Sequence, residues 1–134
     1  MSKRRVLVVD DEPYVTAMLS RKLTAVGFEV IVASDGEEAY QIACGEPLSM
    51  IITDYQMPVM SGYELAVKLK VNSKTAEIPL LMLTARSHQL SAQELMLTNI
   101  QHLMDKPFSA RDLARKVAEI ATAFEVSTTT APEK

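Results

Sequence analysis

The sequence predicts an α/β fold, an open doubly wound parallel sheet of five strands with helices on both faces. Five short apolar runs recur along the 134 residues, with helical patterns between them, at 6–9, 30–33, 50–53, 80–83 and 100–104. Most of these runs are continuous rather than alternating, as is typical of strands buried on both faces of a parallel sheet. Regular strand–helix alternation implies right-handed crossovers that cover both sides of the sheet.

The first two helices have recognisable ends. Apolar side chains recur at helical spacing between residues 15 and 26, and Gly27 then provides a helix stop. Asp35, followed three residues later by Glu38, predicts a capping box at the start of the second helix. We expect that helix to end near Gly45.

The sequence signals for the last three helices differ in strength. Gly62 precedes the third helix, and the fourth is predicted over residues 87–98. The apolar residues of the fourth helix fit the helical period only loosely, so we expect it to be mobile. Ser109 and Asp112 predict a capping box that opens the fifth helix.

Length and composition describe a single domain. The chain is 48% hydrophobic and 23% charged, which suits one core. The helical pattern stops near Ser127, so we interpret residues 1–126 as the domain and 127–134 as a disordered tail or the start of a linker. That tail is too short to form a DNA-binding domain, so we expect none in it.

Charge, hydropathy and cysteine content exclude several classes of protein. A net charge of −3 provides no basic field for nucleic acid. No apolar run is long enough for a membrane span or an export signal. One cysteine, Cys44, fits a reducing compartment. We therefore expect a cytoplasmic protein that binds neither nucleic acid nor membrane directly.

Four of the five predicted strands end in a polar residue that could bind a phosphoryl group. These residues are Asp10 with Asp11, then Asp54, Thr84 and Lys106. Carboxyl ends of parallel strands share one edge of a sheet, where ligands gather. Three neighbouring carboxylates repel one another, and Mg²⁺ would neutralise them. An ammonium, a hydroxyl and a metal suit a phosphoryl group, with one carboxylate as its nucleophile.

Each of these residues also has an ordinary structural explanation. Asp10 and Asp11 before a helix could be an N-cap, and Asp54 could stand in a turn. Thr84 could cap a helix, and Lys106 could be a solvated surface residue. One such residue alone favours the structural explanation. Complementary groups at four strand ends favour a site.

These residues lie in motifs that resemble the receiver domain of two-component response regulators, over roughly residues 4–124. The order and spacing of the motifs carry the resemblance, since each is weak alone. They are Val-Leu-Val-Val-Asp-Asp-Glu-Pro at 6–13, Asp54-Tyr-Gln-Met-Pro with Gly62, Leu83-Thr84-Ala85 and Lys106-Pro107-Phe108.

The resemblance implies a flavodoxin-like fold with strand order 2-1-3-4-5 and a phosphoacceptor role for Asp54. The phosphoryl group would come from a phosphohistidine of a sensor histidine kinase or histidine phosphotransfer protein, and phosphorylation would alter binding to a downstream protein target. Mg²⁺ would be held by Asp10, Asp11, Asp54 and the backbone carbonyl of Gln56. The resemblance also implies a cis peptide bond before Pro107.

The chain departs from the family pattern in the fifth predicted strand and beside the predicted pocket. Leu103 stands where the family often has a tyrosine or phenylalanine that rotates when Thr84 moves toward the phosphate. We therefore expect modified or weaker coupling to the face formed by the fourth helix, fifth strand and fifth helix. Gln56 and Arg86 occupy positions that, in the family, tune hydrolysis of the acyl phosphate, in a direction that the sequence leaves open.

Three functions compete for this set of residues. The first is a phosphorylation-controlled switch, which is no enzyme beyond metal-assisted self-phosphorylation and autodephosphorylation. The second is an Mg²⁺-dependent phosphohydrolase, but such enzymes usually have a second aspartate where this chain has Gln56. The third is an interaction module without the chemistry, which the intact set of polar residues disfavours. The sequence favours the switch.

Overall fold

Five parallel strands and five helices alternate in the computed structural model, which describes residues 4–85 and 90–130, with side chains up to residue 123. The strands are β1 (Arg5–Val9), β2 (Glu29–Ala33), β3 (Met50–Asp54), β4 (Leu80–Thr84) and β5 (Ile100–Asp105). The helices are α1 (Pro13–Ala25), α2 (Gly36–Gly45), α3 (Gly62–Val71), α4 (Ala92–Met96) and α5 (Ala110–Thr130).

The strands form one sheet in the order β2-β1-β3-β4-β5, which confirms the predicted fold. The register aligns Val9 of β1 with Thr53 of β3, and Asp54 of β3 with Leu83 of β4. All pairs are parallel, so the carboxyl ends of the strands reach the same edge. Asp10 and Asp54 therefore follow aligned residues on neighbouring strands.

Helices bury both faces of the sheet, which explains the continuous apolar runs. Val6 and Val8 pack toward α1 and α5, whereas Leu7 and Val9 pack toward α2 and α3. Successive strand residues point to opposite faces, so a strand covered on both sides needs an apolar side chain at each position.

Helix ends confirm some of the predicted signals and correct others. Gly27 has a φ of +105°, a conformation that glycine adopts readily, and it ends α1 as predicted. Asp35 accepts a hydrogen bond from the Glu38 amide at 2.8 Å. The Glu38 carboxylate, however, accepts from the Ser34 amide at 2.8 Å, so only half of the expected capping box forms. The carboxylate reaches one residue further back along the chain.

The predicted capping box of α5 is also half formed, and two complete boxes occur elsewhere. Ser109 accepts from the Asp112 amide at 3.3 Å, but the Asp112 carboxylate pairs with Arg115. Complete boxes join Ser61 to Glu64 at α3 and Ser91 to Glu94 at α4. A glutamate has one more methylene than an aspartate, and that length lets it reach back to the N-cap amide.

The last two helices differ in length from the prediction. Only residues 92–96 form α4, and residues 87–89 at the start of the predicted span lie outside the described residues. α5 continues to Thr130, so it contains the first four residues of the predicted tail, and 131–134 lie outside the described residues. Neither glycine nor proline interrupts residues 110–130. Within the described part of the chain, no helix has the length and apolar character to cross a membrane.

Candidate functional site

The carboxyl edge of the sheet brings three carboxylates together. Asp10 follows β1, Asp54 ends β3, and Asp11 is the next residue after Asp10. Their ligand oxygens lie within 4.8 Å of one another. Asp10 is 2% exposed and Asp54 6% exposed, whereas Asp11 is exposed to solvent. The cluster is thus buried on one side and accessible on the other.

A cavity of about 270 Å³ opens over this cluster. Its lining consists of Asp11, Glu12, Asp54, Gln56, Ala85 and Lys106. Asp11, Asp54, Gln56 and Lys106 were predicted as site residues from the sequence. Glu12 was not predicted as part of the site, although a third acidic residue directly after Asp10 and Asp11 was a signal available in the sequence. The small Ala85 leaves this part of the cavity wall open.

A tight turn after β1 holds Asp10 in the sheet edge. The Asp10 amide donates to the Ala33 carbonyl at 3.2 Å, which ties it to β2. Its Oδ1 accepts from the Glu12 amide at 2.9 Å, an Asx-type turn that leads into α1. Pro13 then occupies the first turn of α1, where its missing N–H is no loss.

Gly62 allows the chain to return against the end of β3. Its amide donates to the Tyr55 carbonyl at 2.7 Å. A Cβ at this position would overlap the Asp54 carbonyl oxygen and approach the Tyr55 Cα to 3.0 Å. Only a residue without a side chain therefore fits here, and Gly62 fixes the backbone of Asp54 from behind.

Lys106 pairs directly with Asp54. Its Nζ lies 2.9 Å from Asp54 Oδ1. Partial burial alone would lower the pKa of Lys106, but the hydrogen bond and charge of Asp54 outweigh it and raise that pKa above 10.5. The lysine is therefore a positive charge held against the carboxylate. The peptide bond between Lys106 and Pro107 is cis, as predicted.

Asp10 is the carboxylate least satisfied by its protein surroundings. Burial, followed by the repulsion of Asp54 and Asp11, raises its pKa to about 6, although the Glu12 amide opposes the change. Among the described residues, none provides a hydrogen-bond partner for the buried Oδ2 of Asp10. A buried oxygen left without a donor, inside a cluster of carboxylate oxygens, fits a hard divalent cation such as Mg²⁺.

Thr84 stands one residue beyond the β4 partner of Asp54. It is 3% exposed, and its hydroxyl donates to the Ala85 carbonyl at 3.1 Å. To donate a hydrogen bond to a phosphoryl group on Asp54, this hydroxyl would have to leave that carbonyl, since it has only one O–H.

Other residues discussed from the sequence lie away from the cluster or outside the described residues. Leu103 lies in β5 and packs against the apolar cluster under α2 and α3. Arg86 lies outside the described residues. His102 borders a larger cavity of about 370 Å³ between β5 and α5, formed partly by residues that precede β4 and β5. That cavity is at the opposite end of the strands and contains none of the predicted site residues.

Comparison with known proteins points to one family. The family model described as the response regulator receiver domain matches residues 6–118. The YrkP transcriptional regulatory protein of Bacillus subtilis is 38% identical over 117 residues, covering 87% of this chain and 49% of that protein. The sensor histidine kinase TmoS of Ectopseudomonas mendocina is 34% identical over 116 residues, 87% of this chain and 12% of the kinase. The chain thus spans half or less of these two relatives.

Solved structures show the same similarity over whole domains. The chemotaxis response regulator CheY4 of Vibrio cholerae is 32% identical, with a TM-score of 0.80 over 89% of this chain and 99% of that one. A CheY-like receiver domain protein of Methanospirillum hungatei is 25% identical, with a TM-score of 0.81 over 94% of this chain and 99% of that one.

Proposed function

Because the chain belongs to the response regulator receiver domain family, we propose that it is a phosphorylation-controlled switch in which Asp54 accepts the phosphoryl group. Receiver domains act as signalling switches rather than as classical enzymes. The observation that carries the proposal is the ion pair of a buried Asp54 with Lys106, in an open cavity beside two further carboxylates.

The residues around Asp54 suit nucleophilic attack on phosphorus. An oxygen of its carboxylate would form the new O–P bond while the bond from phosphorus to the donor nitrogen breaks, and the imidazole of the donor keeps that electron pair. Such a transfer depends on in-line approach and neutralised charge more than on acid–base help. Lys106, 2.9 Å from Asp54, holds a positive charge where phosphoryl oxygens would collect.

Mg²⁺ is the cofactor that this donor set fits. Asp10, Asp11, Asp54 and the backbone carbonyl of Gln56 would hold it, and when bound it supplies positive charge to the carboxylates and the incoming phosphoryl oxygens. Asp10 supports this assignment because its buried Oδ2 has no hydrogen-bond partner among the described residues and is free to bind a cation. Thr84 would contribute a hydroxyl donor to the phosphorylated state by turning away from the Ala85 carbonyl.

The partners follow from the family. Receiver domains interact with histidine kinases and with downstream targets. For this chain we propose a sensor histidine kinase or histidine phosphotransfer protein as the donor, and a protein target whose binding changes on phosphorylation. A cytoplasmic location is part of the same proposal. Direct binding to nucleic acid or to a membrane is not part of the proposal.

A small phosphodonor tests the proposal without the kinase. We expect incubation with acetyl phosphate and Mg²⁺ to add one phosphate-sized mass to the intact chain. Asp54→Asn and a metal chelator should each abolish the adduct, and the exposed Asp112→Asn variant should retain it. An unmodified wild-type chain would instead favour an interaction module without the chemistry. Turnover of small phosphomonoesters would favour a phosphohydrolase.

A further inference from the structure

A tyrosine of α3, the helix that follows Asp54 in the chain, forms a hydrogen bond to α4. The hydroxyl of Tyr63 donates a hydrogen bond to the backbone carbonyl of Glu94 at 3.0 Å, across 31 positions of sequence. Tyr63 is the second residue of α3 and is half-buried. The bond therefore connects two helices that follow different strands of the sheet.

The α3 end of this connection is rigidly tied to Asp54. Gly62, the residue before Tyr63, lies directly against the Asp54 carbonyl, and its amide is bound to the Tyr55 carbonyl at 2.7 Å. This contact is between backbone atoms and has no side chain that could adjust. Because these backbone atoms are closely packed, we expect a displacement of the Asp54 backbone to shift Gly62, and with it Tyr63.

The α4 end is a residue on which the short helix depends. Glu94 forms the capping box of α4, since its amide donates to Ser91 Oγ at 3.0 Å and its carboxylate accepts from the Ser91 amide at 2.8 Å. α4 has five residues, none of them buried in the described part of the chain. A helix this short is marginal by itself, so a single tertiary hydrogen bond has a large influence on it.

We propose that Tyr63 transmits the phosphorylation state of Asp54 to α4, in place of an aromatic side chain at position 103 of β5. This proposal rests on the proposed function, because it needs phosphorylation at Asp54. Leu103 offers no ring and no hydroxyl to exchange between two environments. Tyr63 offers a hydroxyl whose bond to Glu94 can be kept or broken when Gly62 shifts.

A purely structural role for Tyr63 predicts a different outcome. In that case loss of the hydroxyl would loosen α4 equally with and without phosphate, and the response of α4 to phosphorylation would stay the same. A transmitting role predicts that the response itself shrinks. The readout must therefore compare α4 in the two phosphorylation states.

The test compares the wild type, Tyr63→Phe and the matched control Tyr14→Phe, whose tyrosine is 70% exposed on α1. Each chain is treated with acetyl phosphate and Mg²⁺. Intact mass measures phosphate uptake, and NMR measures amide shifts and hydrogen exchange of α4. Leu95 is the reporter, because its amide donates at 3.0 Å to the carbonyl of Ser91, the N-cap residue of α4.

We expect equal phosphate uptake in all three chains. In unphosphorylated Tyr63→Phe, the Leu95 amide should exchange roughly two- to tenfold faster, the effect of losing one hydrogen bond. The phosphorylation-induced shifts in α4 should fall to less than about half of the wild-type size in Tyr63→Phe, at the scale of that lost bond, and stay unchanged in Tyr14→Phe.

Two outcomes would overturn the proposal in distinguishable ways. Normal uptake with a wild-type α4 response in Tyr63→Phe would remove the role of Tyr63 and leave the proposed function intact. Absence of an adduct on the wild-type chain would overturn the proposed function and the role of Tyr63 with it.

Discussion

Replacing Asp10 by asparagine should stabilise the metal-free protein. The carboxylate of Asp10 is buried beside two others, and its pKa is raised from 3.8 to about 6, mainly by burial. Asparagine has the same shape and keeps an oxygen for the Glu12 amide, which now donates to Asp10 Oδ1. Its amide group can also donate to the neighbouring carboxylates. The substitution thus removes a charge and preserves the turn.

The size of the effect follows from the pKa of Asp10. A rise to about 6 corresponds to about 3 kcal/mol for ionising this group in the folded protein. Below about pH 6 the folded protein binds the proton more tightly than the unfolded chain, so the wild type recovers stability as the pH falls toward 4. The advantage of Asp10→Asn should therefore be largest above pH 6 and shrink on acidification.

Urea unfolding with a chelator present measures this difference. At pH 8 we expect Asp10→Asn to be more stable by up to about 3 kcal/mol, or roughly 10 °C in melting temperature. At pH 5 about half of that difference should remain, and by pH 4 most of it should have disappeared. Added Mg²⁺ should stabilise the wild type by binding the folded state, and the variant less. The control Asp112→Asn should change stability by less than about 0.5 kcal/mol, since that residue is exposed.

Two results would refute this reasoning. One is an Asp10→Asn variant no more stable than the wild type at pH 8 without metal. The other is a gain of equal size at pH 8 and pH 5, which would trace the effect to packing rather than to charge.

Three further substitutions test other features of the structure. Gly62→Ala should cost about 1–3 kcal/mol in unfolding free energy and reduce acetyl phosphate labelling, since its Cβ would overlap the Asp54 carbonyl. The control Gly45→Ala should change neither the unfolding free energy nor the labelling, because no described atom beyond its chain neighbours and the local helix backbone lies within 4 Å of its added Cβ. Val59 is fully exposed with a φ of +71°, so Val59→Asn should gain about 0.5–1 kcal/mol in urea unfolding, and no gain would argue against strain there. Burial and then the charge of Lys116 lower the pKa of His102 below 6.5. The wild type should therefore lose stability relative to His102→Gln as the pH falls through 6.5. Parallel curves of unfolding free energy against pH for the two proteins would contradict this.

The fold and the clustering of the polar residues could be predicted because both follow from local patterns. Continuous apolar runs indicate strands covered on both faces, and topology then brings the residues after β1 and at the end of β3 to one edge. This topology alone was enough to predict that Asp10 and Asp54 lie close together. The ion pair of Lys106 with Asp54 follows from the same topology.

Features that depend on contacts between distant backbone segments could not be predicted. Gly62 marked a helix start in the sequence, but its contact with the Asp54 carbonyl exists only after β3 and α3 have packed together. The Tyr63 bond to Glu94 joins residues 31 apart and has no sequence pattern. The predicted contacts at the helix ends were also imprecise. The Glu38 carboxylate could reach either of two neighbouring amides, and it bound that of Ser34.

The central claim is that Asp54 itself carries the phosphoryl group, and chemical mapping tests it most directly. Borohydride reduces an aspartyl phosphate to homoserine, and peptide mass spectrometry locates the altered residue. After treatment with acetyl phosphate and Mg²⁺, homoserine should appear at position 54 and depend on the metal. Homoserine at position 10 or 11, or none in a chain that carries the phosphate mass, would contradict the account.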